Sequence, residues 1–185
     1  PFAEPQMAAL ERLLAAVLEL AYLNSFFESG LKSPMDDAIL AHQHTDVSGW
    51  TKIDEVPFDF ERRRVSVLVE RGADRLLIVK GAPEDVLRLC THYECDSCLR
   101  SPDGRQQPKT FDTEAQAQVR ALFDRLGADG FRVLAVATKR EPETLVDAVV
   151  DDESELVLAG FAAFLDPPRP APNPPCRRWP PAAWR

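Results

Sequence analysis

The chain has 185 residues, of which 45% are hydrophobic and 28% are charged, and its formal net charge is −8. This length allows one domain with a sizeable core. The acidic balance argues against a nucleic-acid binder, which normally presents a basic face, so any anionic ligand must be held by a local cluster of positive groups. The most apolar helical stretch, residues 10–23, is interrupted by charged side chains, whereas a membrane span needs about 20 apolar residues. Residues 1–23 also lack the basic head of a signal peptide, so we expect a cytosolic domain with reduced cysteines.

Two helices are predicted at the start of the chain. Apolar side chains at helical spacing indicate a helix over residues 7–27, which Gly30 ends. Ser33 is predicted to be the N-cap of a second helix, with Pro34 at its first position and Asp36 three residues after the cap.

The pattern changes to strands from residue 50 onwards. Residues 50–56, 65–70 and 75–80 are short β-type runs. A turn at 71–74 joins the last two runs as a hairpin. A helix over residues 82–90 is predicted to follow.

The second half of the chain mixes one helix with two strong strands. Asp112 is predicted to cap the helix and Gly127 to end it. Residues 131–138 and 156–165 are strongly β-like. The apolar face of this helix is predicted to comprise Val119, Leu122, Phe123 and Leu126. Helices mixed with hairpin-connected strands predict an α/β (α+β) fold, with a largely antiparallel twisted sheet flanked by helices.

The composition changes after residue 165. Eight of the sixteen prolines lie between Pro167 and Pro181. We therefore predict one packed domain over residues 1–165, with its core at 22–165, and a Pro-rich tail over 166–185 that forms no packed element and is disordered.

Lys80-Gly81-Ala82-Pro83-Glu84 is the most informative stretch of the chain. It follows an apolar run and precedes an amphipathic one, which indicates a buried strand, a tight turn and a helix that begins at Pro83. A lysine held at a strand end, next to a glycine that permits close approach, suits a phosphorylated ligand. The same pattern is also typical of an ordinary strand–turn–helix joint.

A second stretch places Phe58 beside three consecutive arginines at the start of a strand. Alternation sends Arg62 and Arg64 to one face and Arg63 to the other. Phe58 is either a core residue or an exposed ring that stacks on a purine while an arginine meets phosphate. From this stretch alone, a core phenylalanine and solvated charges are favoured.

Arg132 opens the strand at 131–138, and it is either a solvated charge at the strand end or a ligand contact. The sequence contains no GxxxxGK[ST] loop, GxGxxG turn, GxSxG elbow or HExxH helix. No complete catalytic machinery is therefore predicted.

The cysteines offer a minor alternative. Cys95 and Cys98 form a CxxC pair, with Cys90 nearby. Zinc sites usually present two such pairs, and the second is missing here. Reduced thiols are favoured, and a zinc site at these three cysteines stays open.

Five segments, in this order, resemble those of the nucleotide-binding domain of P-type cation-transporting ATPases. They are the acidic helix segment 34–40, residues 58–67, the KGAPE stretch at 80–84, residues 130–135 and the DPPR stretch at 166–169. Further segments resemble the bacterial magnesium-translocating subfamily, namely residues 23–32, 52–64 and 162–168.

The resemblance implies roles for six residues. Phe58 would stack on the adenine ring, Lys80 would line the adenine pocket, and Gly81 would give the base close access to the backbone. Asp36 stands where the family has an acidic residue that hydrogen-bonds the adenine amino group or its neighbours.

Two arginines would complete this site. By the resemblance, Arg63 lies near the nucleotide and Arg132 reaches the phosphates. With Lys80 they would supply the local positive field that the acidic chain needs.

The family's phosphorylated aspartate lies in a DKTGT motif, which the given sequence does not contain. The resemblance therefore implies a domain that binds Mg-ATP without turnover and presents it to an aspartate on another domain. The implied partners are an adenine nucleotide and the phosphorylation and actuator domains of a parent ATPase, on the cytoplasmic side, with the chain monomeric in isolation. The alternative is a non-catalytic interaction module that keeps the fold but not the nucleotide affinity.

Overall fold

The computed structural model describes residues 4–30, 32–42, 44–94 and 107–165, with side chains from residue 15 onwards. The tail at 166–185 and the CxxC pair lie outside these residues. The helices and strands are α1 Glu4–Phe27, α2 Pro34–His42, β1 Thr51–Asp59, β2 Arg64–Arg71, β3 Asp74–Gly81, α3 Pro83–Leu87, β4 Cys90–Tyr93, β5 Lys109–Thr110, α4 Thr113–Ala128, β6 Phe131–Glu141 and β7 Leu156–Leu165, with a 3₁₀ turn at Val150–Asp152. Among the described helices, none is long and apolar enough to cross a membrane.

The described strands form one sheet in the order β1-β2-β3-β6-β7-β4-β5. Neighbouring strands are antiparallel except for β4 and β7, which are parallel. The prediction of a largely antiparallel sheet flanked by helices is thus confirmed.

Helices cover both faces of this sheet. On one face, α1 and α2 pack on Ile78 of β3 and Val136 of β6. On the other face, α3 packs on the residues that follow these two in the same strands, Val79 of β3 and Ala137 of β6. Successive side chains of a strand point to opposite faces, and helices cover both faces here. For this reason β3 is apolar along most of its length and does not alternate.

The predicted start of α2 is confirmed in detail. The backbone N–H of Asp36 donates to Ser33 Oγ at 3.3 Å, and the backbone N–H of Ser33 donates to Asp36 Oδ2 at 2.8 Å. This reciprocal pair is a capping box, which satisfies two backbone donors at the helix start.

The helix predicted over residues 82–90 is wrong over its last three residues. It ends at Leu87, and Cys90 opens β4. Cys90 pairs with Leu156 of β7, 66 residues further along the chain. Three residues of β4 pair with this distant strand, and such a pairing leaves no pattern in the local sequence. The local sequence therefore predicted that the helix continues to Cys90.

The cap of α4 is confirmed, since Asp112 Oδ1 accepts a hydrogen bond from the N–H of Ala115 at 2.9 Å. The predicted end differs: Gly127 lies within the helix, and Gly130, with φ +84°, follows it. None of the residues of α4, all of them described, is fully buried, and Leu122 is 44% exposed. The predicted apolar face is therefore only partly covered.

Gly81 is required by the close approach of β2 to the end of β3. It pairs with Arg64, and a Cβ at this position would lie 2.5 Å from the Arg63 carbonyl oxygen and 2.7 Å from Arg64 Cα. The N–H of Ala82 also donates to that carbonyl at 2.9 Å, so the backbone of the turn before β2 cannot retreat without losing a hydrogen bond.

We predict that Gly81→Ala lowers the free energy of unfolding by about 2 kcal/mol, because the added methyl group meets backbone atoms. Urea unfolding measures this change. Gly127→Ala is the matched control, since a Cβ there meets nothing within 4 Å, and it should stabilise α4 by up to about 1 kcal/mol. Equal effects of the two substitutions would refute the steric explanation.

Candidate functional site

The side chain of Lys80 is buried at the end of β3, with 4% of it exposed. Its Nζ donates to Ser25 Oγ at 2.7 Å, to Glu28 Oε2 at 3.2 Å and to Asp36 Oδ1. We call these four residues the Lys80 cluster. It joins the end of β3 to the end of α1 and to the first turn of α2.

Asp36 is the acceptor centre of the Lys80 cluster. Besides Lys80, its carboxylate accepts hydrogen bonds from Ser25 Oγ at 2.9 Å and from Ser33 N and Oγ at 2.8 and 2.7 Å. Burial by itself would raise the pKa of Asp36, but the Lys80 charge and the hydrogen bonds from Lys80 and Ser33 outweigh it and hold the pKa below its ordinary value. Asp36 is therefore the ionised partner of Lys80.

Glu28 behaves in the opposite way. Burial raises the pKa of Glu28, and the Asp36 charge adds to this, while Lys80 only partly opposes it. One ammonium thus faces two carboxylates of unequal acidity. Sequence reasoning missed Ser25 and Glu28, although polar residues three apart at the end of an apolar helix were a usable signal.

Arg62 and Arg63 lie in the turn between β1 and β2, Arg64 opens β2, and the side chain of Arg63 points away from the other two, as predicted. Arg62 and Arg64 both bind Glu153. Arg63 lies on the other side, where Nε binds Asp85 at 2.7 Å and Nη2 binds Glu84 at 3.0 Å. Arg62 and Arg64 are therefore held inside the chain rather than solvated.

Phe58 is not a core residue. It is 46% exposed and meets Phe60 edge-on, with ring centroids 5.3 Å apart. A register shift between Val56 and Asp59 places it in a β-bulge, a feature that re-aims a side chain. Opposite the bulge lies Val65, which pairs with Lys80, so strand spacing puts the backbone of Phe58 about 10 Å from that of Lys80.

Gly81 follows Lys80 at the same end of the sheet, where it pairs with Arg64. Its missing Cβ accommodates the backbone of Arg63 and Arg64. Its expected contact with an adenine base stays a prediction.

Arg132 lies on the same sheet face as Lys80. Lys80 pairs with Val136, and Arg132 is four residues before Val136, about 13 Å along the strand. It lines a cavity of about 700 Å³ together with Pro34 and Met35 of α2 and the last residues of β7. Only an extended ligand could reach both cations.

The charges at this end of the sheet are largely compensated within the chain. Lys80 faces Glu28 and Asp36, and Arg63 faces Glu84 and Asp85. The expected open positive field is thus not present at these two residues, and an anionic ligand there must compete with carboxylates.

The described part of the chain gives no support to a zinc site. Cys90 is buried, its Sγ donates to the Val86 carbonyl at 3.3 Å, and burial raises the pKa of its thiol to about 12. Cys95 and Cys98 lie outside the described residues. Among described residues, no group of three or more His, Cys, Asp or Glu could hold a metal ion.

Residues 15–171 match the family model of the P-type ATPase cytoplasmic domain N. The chain therefore belongs to the P-type ATPase family, as the segments at residues 34–169 implied. The matching family model is that of a cytoplasmic domain.

Among its relatives are magnesium-transporting ATPases, P-type 1. One from Salmonella typhimurium strain LT2 is 40% identical over 159 residues, and one from Escherichia coli K12 is 39% identical over the same length. The calcium-transporting ATPase 1 of Lactococcus lactis is 27% identical over 172 residues, which cover 87% of this chain and 18% of the relative. Each match to a magnesium-transporting relative covers 83% of this chain but 17% of the relative, so the chain spans about a sixth of their length.

We predict that Glu28→Gln alters how stability depends on pH. Because the folded-state pKa of Glu28 is raised above 4.5, the folded chain binds more protons than the unfolded chain between pH 4.5 and that pKa, and this residue makes stability fall as pH rises through the window. Gln removes the titration. The free energy of unfolding of Glu28→Gln, relative to the unchanged chain, should therefore increase as pH rises from 4.5.

Urea unfolding at a series of pH values from 4.5 to neutrality measures this difference. A difference that stays constant or decreases with pH would show that Glu28 carries no raised pKa.

Proposed function

We propose that this chain is an adenine-nucleotide-binding domain that holds Mg-ATP and presents its γ-phosphate to an aspartate of another domain. The observation that carries the proposal is that an exposed aromatic ring, Phe58, and two cations, Lys80 and Arg132, lie at one end of the sheet. They also occur in the order that the family uses. In such a domain, catalysis of phosphoryl transfer consists of positioning, which needs binding residues but no nucleophile.

The proposed base pocket lies between Phe58 and the Lys80 cluster. A half-exposed ring in a bulge can stack on adenine without unpacking the core. The two oxygens of Asp36 already accept four hydrogen bonds, which is about the capacity of a carboxylate. Asp36 would therefore act mainly by fixing Lys80, unless the amino group of the base displaces one of these donors.

The phosphates would extend from this pocket towards Arg132. The separation of about 13 Å along β6 fits a ligand with a base at one end and an anionic chain at the other. Arg63 can join them if a phosphate replaces Glu84 or Asp85 as its partner, since guanidinium binds phosphate and carboxylate with the same fork.

The names of the relatives extend the proposal to the parent protein. We infer a magnesium-transporting P-type ATPase, in which this domain works with phosphorylation and actuator domains outside the present chain. The 40% identity to magnesium-transporting relatives, against 27% to a calcium-transporting one, supports this choice of ion.

A second candidate is an interaction module that keeps the fold but binds no nucleotide. The observation in its favour is that Lys80 and Arg63 are already paired with carboxylates. A melting temperature that does not change in excess ATP would support this candidate, because a ligand that binds the folded chain must stabilise it.

We predict that Phe58→Ala weakens ATP binding about ten-fold and leaves the fold intact. Stacking of a base on an aromatic side chain contributes roughly 1–3 kcal/mol, and the exposed ring adds little to the core. Isothermal titration calorimetry of the whole chain with Mg-ATP measures the affinity.

The matched control is Phe60→Ala, because Phe60 is 88% exposed and its ring is perpendicular to that of Phe58. We expect this control to bind ATP within about two-fold of the unchanged chain. Equal affinities of the unchanged chain and Phe58→Ala would exclude the proposed base pocket.

A further inference from the structure

Glu153 is a carboxylate whose side chain is fully buried. Its Oε1 accepts from Arg62 Nη1 at 2.8 Å and from Ser66 Oγ at 2.5 Å, and its Oε2 accepts from Arg64 Nε at 2.7 Å and from the same Arg62 nitrogen at 2.9 Å. We call these four residues the Glu153 cluster. It connects the start of β2 to a residue about 90 positions later in the chain, just before β7.

The Glu153 cluster reaches the turn between β1 and β2 on both sides. Arg62 Nη2 donates to the carbonyl of Pro57, the residue before Phe58, at 2.6 Å. Within the turn, Asp59 Oδ1 accepts from the backbone N–H groups of Glu61 and Arg62 at 2.7 and 2.9 Å. The end of β1 that carries Phe58 is thus tied to Glu153 through the Arg62 guanidinium. Arg64 adds a second link to the turn, since its Nη1 donates to the Arg62 carbonyl at 3.2 Å.

The same cluster determines where Arg63 points. Arg63 stands between two arginines that are both held by Glu153, and its φ is +49°, in the left-handed region. Its side chain therefore leaves on the opposite side of the turn, next to Glu84 and Asp85.

Stability by itself does not account for a buried ion cluster. Apolar side chains of similar volume stabilise a core at least as well as a buried carboxylate with its arginines. What directional hydrogen bonds add is a fixed geometry, and the geometry fixed here is that of the turn with Phe58 and Arg63.

We propose that Glu153 is a positioning residue for the nucleotide site: it touches no ligand, and it orders the turn so that Phe58 and Arg63 are presented in the binding geometry. This inference rests on the proposed function for its effect on ATP affinity. Its effect on the turn does not depend on any ligand.

The test compares Glu153→Gln with Glu70→Gln in the full chain. Glu70 is a matched control, since it also accepts hydrogen bonds from an arginine of the sheet, with Arg75 Nε at 3.0 Å, but it lies at the far end of β2. Backbone ¹⁵N relaxation without ligand reports the order of residues 58–63, and calorimetry with Mg-ATP reports the affinity.

For Glu153→Gln we expect the order parameters of residues 58–63 to fall from about 0.85 to below about 0.6, while those of β3 stay unchanged. We expect ATP affinity to fall about ten-fold, because Phe58 and Arg63 are still present but no longer held in the geometry that contacts the nucleotide. Glu70→Gln should change neither value. Should Glu153→Gln fail to fold, Arg62→Met gives the same test, because it disconnects Pro57 and leaves Glu153 paired with Arg64.

The outcomes separate the two proposals. A turn that stays ordered in both the Glu153→Gln and Arg62→Met variants overturns the positioning role, whatever the affinity. A disordered turn with undiminished ATP affinity overturns it as well. If the unchanged chain binds no ATP, the proposed function fails and Glu153 has no nucleotide site to position. A disordered turn in the Glu153→Gln variant would in that case show that Glu153 has a structural role only.

Discussion

A buried ammonium group at the end of β3 determines how this end of the molecule is assembled. Lys80 can lose its water only because Asp36, Ser25 and Glu28 replace it, and these partners come from the end of α1 and the start of α2. Removing a partner from a buried ion pair leaves an uncompensated charge and destabilises a fold by about 3–5 kcal/mol. The two helices and the strand are therefore fixed to one another at the place where a ligand is proposed to bind.

Asp36 shows how one side chain serves the fold and the site together. It closes the capping box of α2 with Ser33 and also neutralises Lys80. The capping role could be predicted, because cap and partner lie three residues apart in the sequence. The bond to Lys80 was not predicted: the family resemblance gave both residues roles at the adenine pocket, and 44 residues separate the two in the sequence.

The same division between local and distant signals runs through the whole fold. The hairpin at 71–74, the strands at 131–138 and 156–165, and the opposite directions of Arg62 and Arg63 all follow from periodicity or turn chemistry, and the structure has them. The parallel match of β4 to β7 and the burial of Glu153 depend on partners that the chain brings together from far apart, so no local pattern announces them.

The compensated charges of the site explain how an acidic chain can hold cations in place before a ligand arrives. A phosphate that reached Arg63 would exchange one anionic partner of the guanidinium for another, and the displaced carboxylate, Glu84 or Asp85, would lose this ion pair. The specificity of such a site then depends on shape and on stacking at Phe58 more than on an open positive field. For this reason the order of the β1–β2 turn is as important to the account as the cations themselves.

In the proposed function, the ring of Phe58 and the ammonium of Lys80 face one adenine base. NMR of the chain with ¹³C-labelled phenylalanine rings and ¹⁵N-labelled lysine side chains, titrated with ADP, tests it most directly. We expect the resonances of the Phe58 ring and of Lys80 Nζ to shift together and to saturate at one ADP concentration. Saturable binding that leaves both resonances in place, and shifts others far from this end of the sheet, would contradict it.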